Sequence, residues 1–381
     1  MLPSNIMVKG SFRIPKVMRA AQCTSYGENI NAILTVHDGI ATPRLGSDAP
    51  PAGFRRAMLV RVLSVALAPG DCRVMSGMTR EFQGPSSFPY TPGGDVCGVV
   101  VSAGDGSKFD VGDRIAARFV NRPTGMLGDY ALVCGDVCDR VPEAISAEGA
   151  AALVSSGTVG VLIGDRIRGG DRVLIFGAGG GVGSHLCQVA RLRGASYIVG
   201  VGLDPERLME EPLCCDRAID YTKTDPFDVE EWKDDPFDVV VDLSGGVWPA
   251  LVDQMPTRQS IVKPASRNGR YLTTTPDCPI FEIHSVWGLL KTFLLPALWR
   301  AFYSRCGVYR SSLPTYSYVD GLPGTSDVVT RTFGLASEGK LVPSIDPSGP
   351  FPFTSEGVRR AFHLQKSRHA KGKVVIQVSK E

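Results

Sequence analysis

The chain has 381 residues, 43% of them hydrophobic and 21% charged, with a formal net charge of +2. That balance gives no electrostatic case for nucleic acid or a strongly acidic partner, and the length predicts two domains with a sizeable core. Ten cysteines in a chain this long do not make a disulfide scaffold. Cys134 and Cys138 have no second pair at ligand spacing, so reduced thiols in a cytosol-like compartment are expected.

Residues 1–19 carry Lys9, Arg13, Lys16 and Arg19 and no acid. An N-terminal extension over 1–17 is therefore compatible with a transit peptide for a mitochondrion or plastid, with the cytoplasm as the leading expectation. Val17 to Gln22 reads as a first strand. Further on, Asp105-Gly106, Phe109 to Gly112 and Leu127 to Asp129 are turn signals between short strands.

Val173 to Phe176 is a short apolar run of the kind found in buried parallel strands. Five of the next seven residues are glycine. His185 to Arg193 then reads as a helix with Leu186, Val189, Ala190 and Leu192 as its apolar positions. Strand, glycine turn and helix together predict a phosphate cradle, because glycines admit close backbone approach and a helix N-terminus offers free N–H groups. The spacing is Ala178-x-Gly180-x-x-Gly183, a variant of the dinucleotide fingerprint. On its own it is weak, and a ligand-free glycine turn competes with it. Strands expected at Tyr197–Gly202, Phe237–Asp242 and Gly269–Thr273 supply the context of a doubly wound sheet.

The end of the second of these strands bears on the cofactor. Gly202 stands where a site for NADH places an acid, and Asp204 comes two residues late, as a cap for a helix beginning at Pro205. Arg207 follows and can reach a ribose 2′-phosphate, so NADPH is expected; a solvated first-turn arginine is the competing reading. Val286 to Phe302 is rich in Leu, Trp and Phe, includes Lys291, Pro296 and Arg300, and is shorter than a bilayer span. A buried helix, pocket wall or dimer face is expected there rather than an integral membrane segment, with a membrane-surface helix as the alternative. The chain closes with a helix over Glu356–Lys366 and a strand over Val374–Val378.

Several segments in this order carry a resemblance: Pro69-Gly-Asp71, Pro92-Gly-Gly-Asp-Val-Cys-Gly98, Phe109-Asp-Val-Gly-Asp113, Gly128-Asp-Tyr-Ala-Leu132, Ala150 to Thr158, the glycine turn, Ile219-Asp-Tyr221 and Gly372-Lys-Val-Val-Ile376. From about Met18 to Val378 the chain resembles the medium-chain dehydrogenase/reductase superfamily, in its zinc-independent, quinone-oxidoreductase-like branch. Within that branch it looks closest to reticulon-4-interacting oxidoreductases and alkenal/enone reductases. The resemblance implies an α/β fold in which a Rossmann doubly wound parallel sheet (154–317) is inserted in a partly open, GroES-like β-barrel catalytic domain (18–153 with 318–381). It also implies a possible homodimer, paired through a strand near Val308.

Zinc-dependent relatives place ligands at the positions of Ala68, Gly94 and Val154, none of which can bind a metal, so no metal is expected. Loss of that Lewis acid disfavours alcohol oxidation. The implied activity is hydride transfer from NADPH to quinones or to activated C=C bonds of α,β-unsaturated carbonyls. An enoyl-thioester reductase, with Arg359, Arg360, Lys366 and Arg368 as a basic mouth, and a non-catalytic nucleotide-binding scaffold are the alternatives. By resemblance, Gly180, Gly181, Val182 and Gly183 contact the pyrophosphate, Thr158 lies near the nicotinamide carboxamide, and Arg207 and Tyr221 flank the adenine ribose. Asp71 and Asp95 fall at the domain cleft. The catalytic donor is not identified. Tyr90 and Arg73 are the nearest polar candidates, each with a plainer reading as core tyrosine and surface cation. Many relatives have Asn where Ala68 stands.

Overall fold

The structure is a computed structural model that describes residues 13–45, 56–120, 124–254, 259–278, 281, 283, 285–319 and 326–380. Most of the N-terminal extension therefore lies outside the described residues.

The chain begins with an antiparallel pair, β1 (Val17–Cys23) and β2 (Leu34–Ala41). Next come β3 (Ala57–Leu67), α1 (Pro69–Ser76), β4 (Asp95–Ala103), β5 (Arg114–Arg118), β6 (Tyr130–Cys134) and β7 (Cys138–Arg140). A continuous helical run, α2 (Ala147–Gly164), links them to the second sheet. It has the hydropathy of a membrane span, but 89% of it is buried inside the protein, as a core helix would be.

The second sheet is built from β8 (Arg172–Phe176), α3 (Gly181–Leu192), β9 (Tyr197–Val201), α4 (Pro205–Met209), β10 (Arg217–Ile219), β11 (Val239–Asp242), β12 (Arg270–Thr273), α5 (Leu295–Tyr303) and β13 (Thr315–Tyr318). After α6 (Asp327–Ser337) the tail returns through β14 (Phe351–Pro352), α7 (Ser355–Ser367) and β15 (Val374–Gln377).

The six-stranded sheet runs β10-β9-β8-β11-β12-β13 with every pair parallel. Counted from β8, this is the 3-2-1-4-5-6 order of a dinucleotide-binding fold, whose strand order reverses between β8 and β11. Helices cover both faces, which is why Val173, Leu174 and Ile175 are all fully buried and β8 lacks an alternating pattern. The other sheet, β14-β15-β3-β4-β5-β7 with β6 also on β3, is antiparallel apart from β14–β15. It draws β15 from 307 positions downstream in the chain to pair with β3, register Val374 opposite Leu67.

Three expectations are corrected. The helix expected from His185 begins at Gly181, because Val182, Gly183 and Ser184 form its first turn despite the low helix propensity of glycine. The segment around Val308 is a helical turn, Gly307–Arg310, and not a strand, so β13 ends the parallel sheet and no pairing strand exists there. The stretch expected to be a buried helix forms Val286–Leu289, Leu290–Leu294 and α5, and much of its apolar surface is exposed.

Candidate active site

The glycine turn follows β8 at the strand-order reversal, where open α/β sheets bind ligands. Gly177 has φ +79, a conformation that L side chains rarely adopt, and this turns the chain sharply out of the strand. The amides of Gly177 and Ala178 both donate to the Val201 carbonyl at 3.1 Å, pinning the turn to β9. Ser184 N makes the first helical bond, to Gly180 O at 2.9 Å, so the amides of Gly181, Val182 and Gly183 precede it as free first-turn donors.

The glycines differ in what they serve. A Cβ on Gly183 would lie 2.2 Å from Gly177 O, so this glycine lets α3 pack against the turn. A Cβ on Gly179 would meet nothing within 4 Å, and one on Gly180 only Gly177 O at 3.6 Å. Protein packing does not require glycine at these two positions. The space above them suits a pyrophosphate, so the residues present fit a dinucleotide.

At the far end of β9, Gly202 is buried beside the glycine turn, and a Cβ there would be 3.5 Å from Gly179 N. Asp204 caps α4, its Oδ1 accepting from Arg207 N at 3.3 Å, while Lys371 Nζ donates to Oδ2 at 2.7 Å. That Lys371 bond is the main cause holding the Asp204 carboxyl below its ordinary range. The Arg207 guanidinium reaches across to Ser344 Oγ at 3.0 Å. Two cations therefore bracket Asp204 at the rim, and Lys371, from the C-terminal tail, was not singled out by sequence. Tyr221 is half exposed on the same strand-end rim.

Beneath the turn lies a buried polar network. Lys373 Nζ donates to Asp95 Oδ2 at 2.9 Å, with side-chain exposures of 6% and 1%, and Ser155 Oγ donates to Asp95 Oδ1 at 2.6 Å. His185 Nδ1 donates to Gly181 O at 2.7 Å and Nε2 accepts from Ser344 N at 3.0 Å, which requires the neutral ring. Burial pushes its pKa down to about 4. Asp71, at the N-terminus of α1, accepts from Ala68 N at 2.7 Å. Burial raises its pKa to about 7, and Asp95 nearby adds to the rise. Thr158 is buried with its hydroxyl donating to Val154 O at 2.8 Å within α2. Asp95 is tied to the cradle through Lys373, whose side chain would lie 3.3 Å from a Cβ on Gly181. Lys373, Ser155 and His185 belong to the same network, although the only sequence signal was the Gly372-Lys373 pair.

Beyond the ends of β12 and β13 a cavity of about 300 Å³ is lined by Thr275, Phe281, Phe293, Pro296, Tyr316 and Tyr318, among others. Arg73 packs its guanidinium 5.1 Å from the Phe281 ring centroid. Burial lowers its pKa while the neighbouring Tyr318 raises it. The surface-cation reading of Arg73 is therefore corrected: it is a half-buried cation packed on Phe281, one of the residues lining this cavity. Tyr90 is a buried bridge residue, its N–H donating to Cys23 O at 3.0 Å and its ring edge-on to Phe88. The core-tyrosine reading describes it.

Ala68, Gly94 and Val154 carry no metal-binding side chain, and among the described residues no group of three or more His, Cys, Asp or Glu could hold a metal ion. Of the basic run, Arg359 donates to Leu34 O, Arg360 stacks over Phe351 and Lys366 pairs with Glu28, while Arg368, just past α7, donates to Ser244 O beside the glycine turn.

Two sequence profiles match the chain, one described as alcohol dehydrogenase GroES-like domain over residues 55–202 and one as zinc-binding dehydrogenase over 213–376. The NADPH-dependent alkenal/one oxidoreductase, chloroplastic, of Arabidopsis thaliana is 26% identical over 97% of this chain and 82% of its own length. The chloroplastic quinone-oxidoreductase homolog of Spinacia oleracea is 27% identical over 95% of this chain and 99% of its own length. The Escherichia coli quinone oxidoreductase complexed with NADPH superposes with a TM-score of 0.68 at 19% identity, covering 94% of this chain and 100% of that one. With the two-sheet architecture, the strand order and the glycine turn, these matches show that the chain belongs to the medium-chain dehydrogenase/reductase superfamily of oxidoreductases, in its quinone-oxidoreductase-like branch.

Proposed function

We propose that the protein is an NADPH-dependent reductase acting on quinones or on activated C=C bonds of α,β-unsaturated carbonyl compounds. The observation that carries this reading is the open space over Gly179 and Gly180 at the N-terminus of α3, at the strand-order reversal of a parallel sheet. In it, Gly180, Gly181, Val182 and Gly183 present the backbone to the pyrophosphate and Thr158 lies at the carboxamide end. Arg207 and Tyr221 flank the adenine ribose and its 2′-phosphate. Lys371 assists by neutralising Asp204, a carboxylate beside Arg207 that would repel a phosphate.

When bound, the nicotinamide ring supplies the hydride. The chain's own part is to hold an apolar acceptor, exclude water and stabilise negative charge on the acceptor's oxygen. The aromatic cavity wall does the first two. Arg73 is the candidate for the third, as a cation held over Phe281; Tyr90, packed with Cys23 and Phe88, is the weaker candidate. Side chains without ligand atoms at Ala68, Gly94 and Val154 favour reduction of conjugated carbonyls over alcohol oxidation. The names of the Arabidopsis and spinach relatives support the same acceptor classes.

The division into 18–153 with 318–381 and 154–317 is supported by the two separate sheets. The chloroplastic relatives favour an organelle, rather than the cytoplasm, as the residence of this chain, with residues 1–17 as the import segment.

Nucleotide titration followed by NADPH oxidation with quinones, enals and enoyl thioesters tests the reading. Turnover with a quinone or enal is expected. Failure to bind either nucleotide overturns it, turnover confined to enoyl thioesters moves the substrate class to lipid or polyketide chemistry, and tight binding without turnover identifies a scaffold.

A further inference from the structure

The helical stretch before β13 has two apolar faces. Its inner face supplies Phe293, Pro296 and Arg300 to the wall of the aromatic cavity. Its outer face carries Trp287, Leu294, Leu295, Leu298, Trp299 and Phe302, exposed by 65%, 47%, 44%, 58%, 62% and 63%. With Arg305 and Lys291, both exposed and Lys291 also at the lining of the cavity, these positions advance by threes and fours and so form one stripe along the helix. A helix on a protein surface normally turns polar residues outward, and a contiguous apolar patch rimmed by charge marks an interaction surface.

The charge on the stripe's own segment has one sign. From Ile283 to Val319 the sequence contains no Asp or Glu but has Lys291, Arg300, Arg305 and Arg310. Arg300 is paired with Asp277 on the inner side, whereas Lys291, Arg305 and Arg310 have no ion-pair partner among the described residues. A second copy docking through this face about a two-fold axis would bring the same set of cations to both sides of the contact, with no acid from the segment to meet them. A surface that is apolar and negatively charged at once, as an anionic lipid bilayer is, meets both features.

We propose that this helical face docks the protein on the surface of anionic membranes, with Trp287, Leu298, Trp299 and Phe302 entering the headgroup–acyl boundary and Lys291, Arg305 and Arg310 meeting the lipid phosphates. Docking in this way puts the element that walls the cavity into the lipid interface. The proposal is independent of the hydride-transfer reading and stands or falls by lipid binding alone.

The chain has four tryptophans, and the other two, Trp232 and Trp248, are buried at 0% and 5% exposure. Tryptophan emission therefore reports directly on the stripe. Full-length protein is mixed with vesicles of phosphatidylcholine alone or of phosphatidylcholine with phosphatidylglycerol, then read by flotation and by emission spectrum. Flotation with the anionic vesicles and a blue shift are expected, both weakened by salt. The Leu298→Ser/Trp299→Ser double variant should lose more than tenfold in partitioning. Arg305→Gln should lose roughly fivefold on anionic vesicles and little on neutral ones. Circular dichroism of each variant establishes that it is folded. No flotation of the wild type with anionic vesicles overturns the proposal. So does a lipid-free dimer that Leu298→Ser/Trp299→Ser dissociates, since the face would then be covered by a second copy.

Discussion

Asp71 and His185 are buried groups that both feel the Lys373 charge, and their pH effects oppose each other. His185 falls from 6.5 to about 4, so the stability it contributes is present above pH 6.5 and is lost as the pH falls through that window. Asp71 rises from 3.8 to about 7, so its contribution is present below pH 3.8 and is lost as the pH rises. Between pH 4 and 6.5 the two slopes nearly cancel, each being about 1.4 kcal/mol per pH unit. Urea denaturation of Asp71→Asn should therefore show stability falling with acidification across this window, and His185→Gln should show the reverse. The same slope in both variants would refute the pairing. A second residue-scale outcome concerns the cofactor. Arg207→Ala should weaken NADPH by roughly ten- to a hundredfold, as loss of a charge-assisted contact does, and leave NADH nearly untouched; titration calorimetry with both nucleotides decides it. Arg207 and Gly202 were legible in sequence because they lie within one strand–helix connection. Lys371 and Lys373 were not, because the atoms that they meet, on Asp204 and Asp95, are 167 and 278 positions away.

At the scale of the element, the glycine turn separates packing from binding. Gly183→Ala forces a Cβ to within 2.2 Å of Gly177 O, so α3 must move; a thermal midpoint several degrees lower is expected. Gly179→Ala meets nothing within 4 Å, so the midpoint should hold while NADPH affinity falls more than tenfold. An unchanged affinity in Gly179→Ala, by calorimetry, would remove the cradle. The apolar runs at 173–176, 197–202 and 237–242 were readable as strands because a parallel strand buried on both faces needs continuous Val, Ile and Leu. The start of α3 was not readable, because propensity argues against glycine in a helix and only the close approach to β8 requires it. The fate of 286–302 was also undecided, since an apolar face does not record what covers it.

For the whole molecule, the Lys373–Asp95 pair is a fastening between the returning tail and the start of β4, under the cradle. Removing one buried partner leaves an uncompensated charge, so Lys373→Met should cost about 3–5 kcal/mol in chemical denaturation. Adding Asp95→Asn should recover much of that, and a single variant as stable as the wild type would show that the pair fastens nothing. The sequence by itself pointed to a doubly wound sheet and to the place of the nucleotide turn, because apolar periodicity, glycines and turn residues act over a few positions. Only the tertiary structure decided the order of the strands, which distant cations stand at the rim, that Arg73 packs on Phe281, and that the helix over the cavity turns its tryptophans outward. Those contacts depend on how separate segments pack, and no local pattern encodes that.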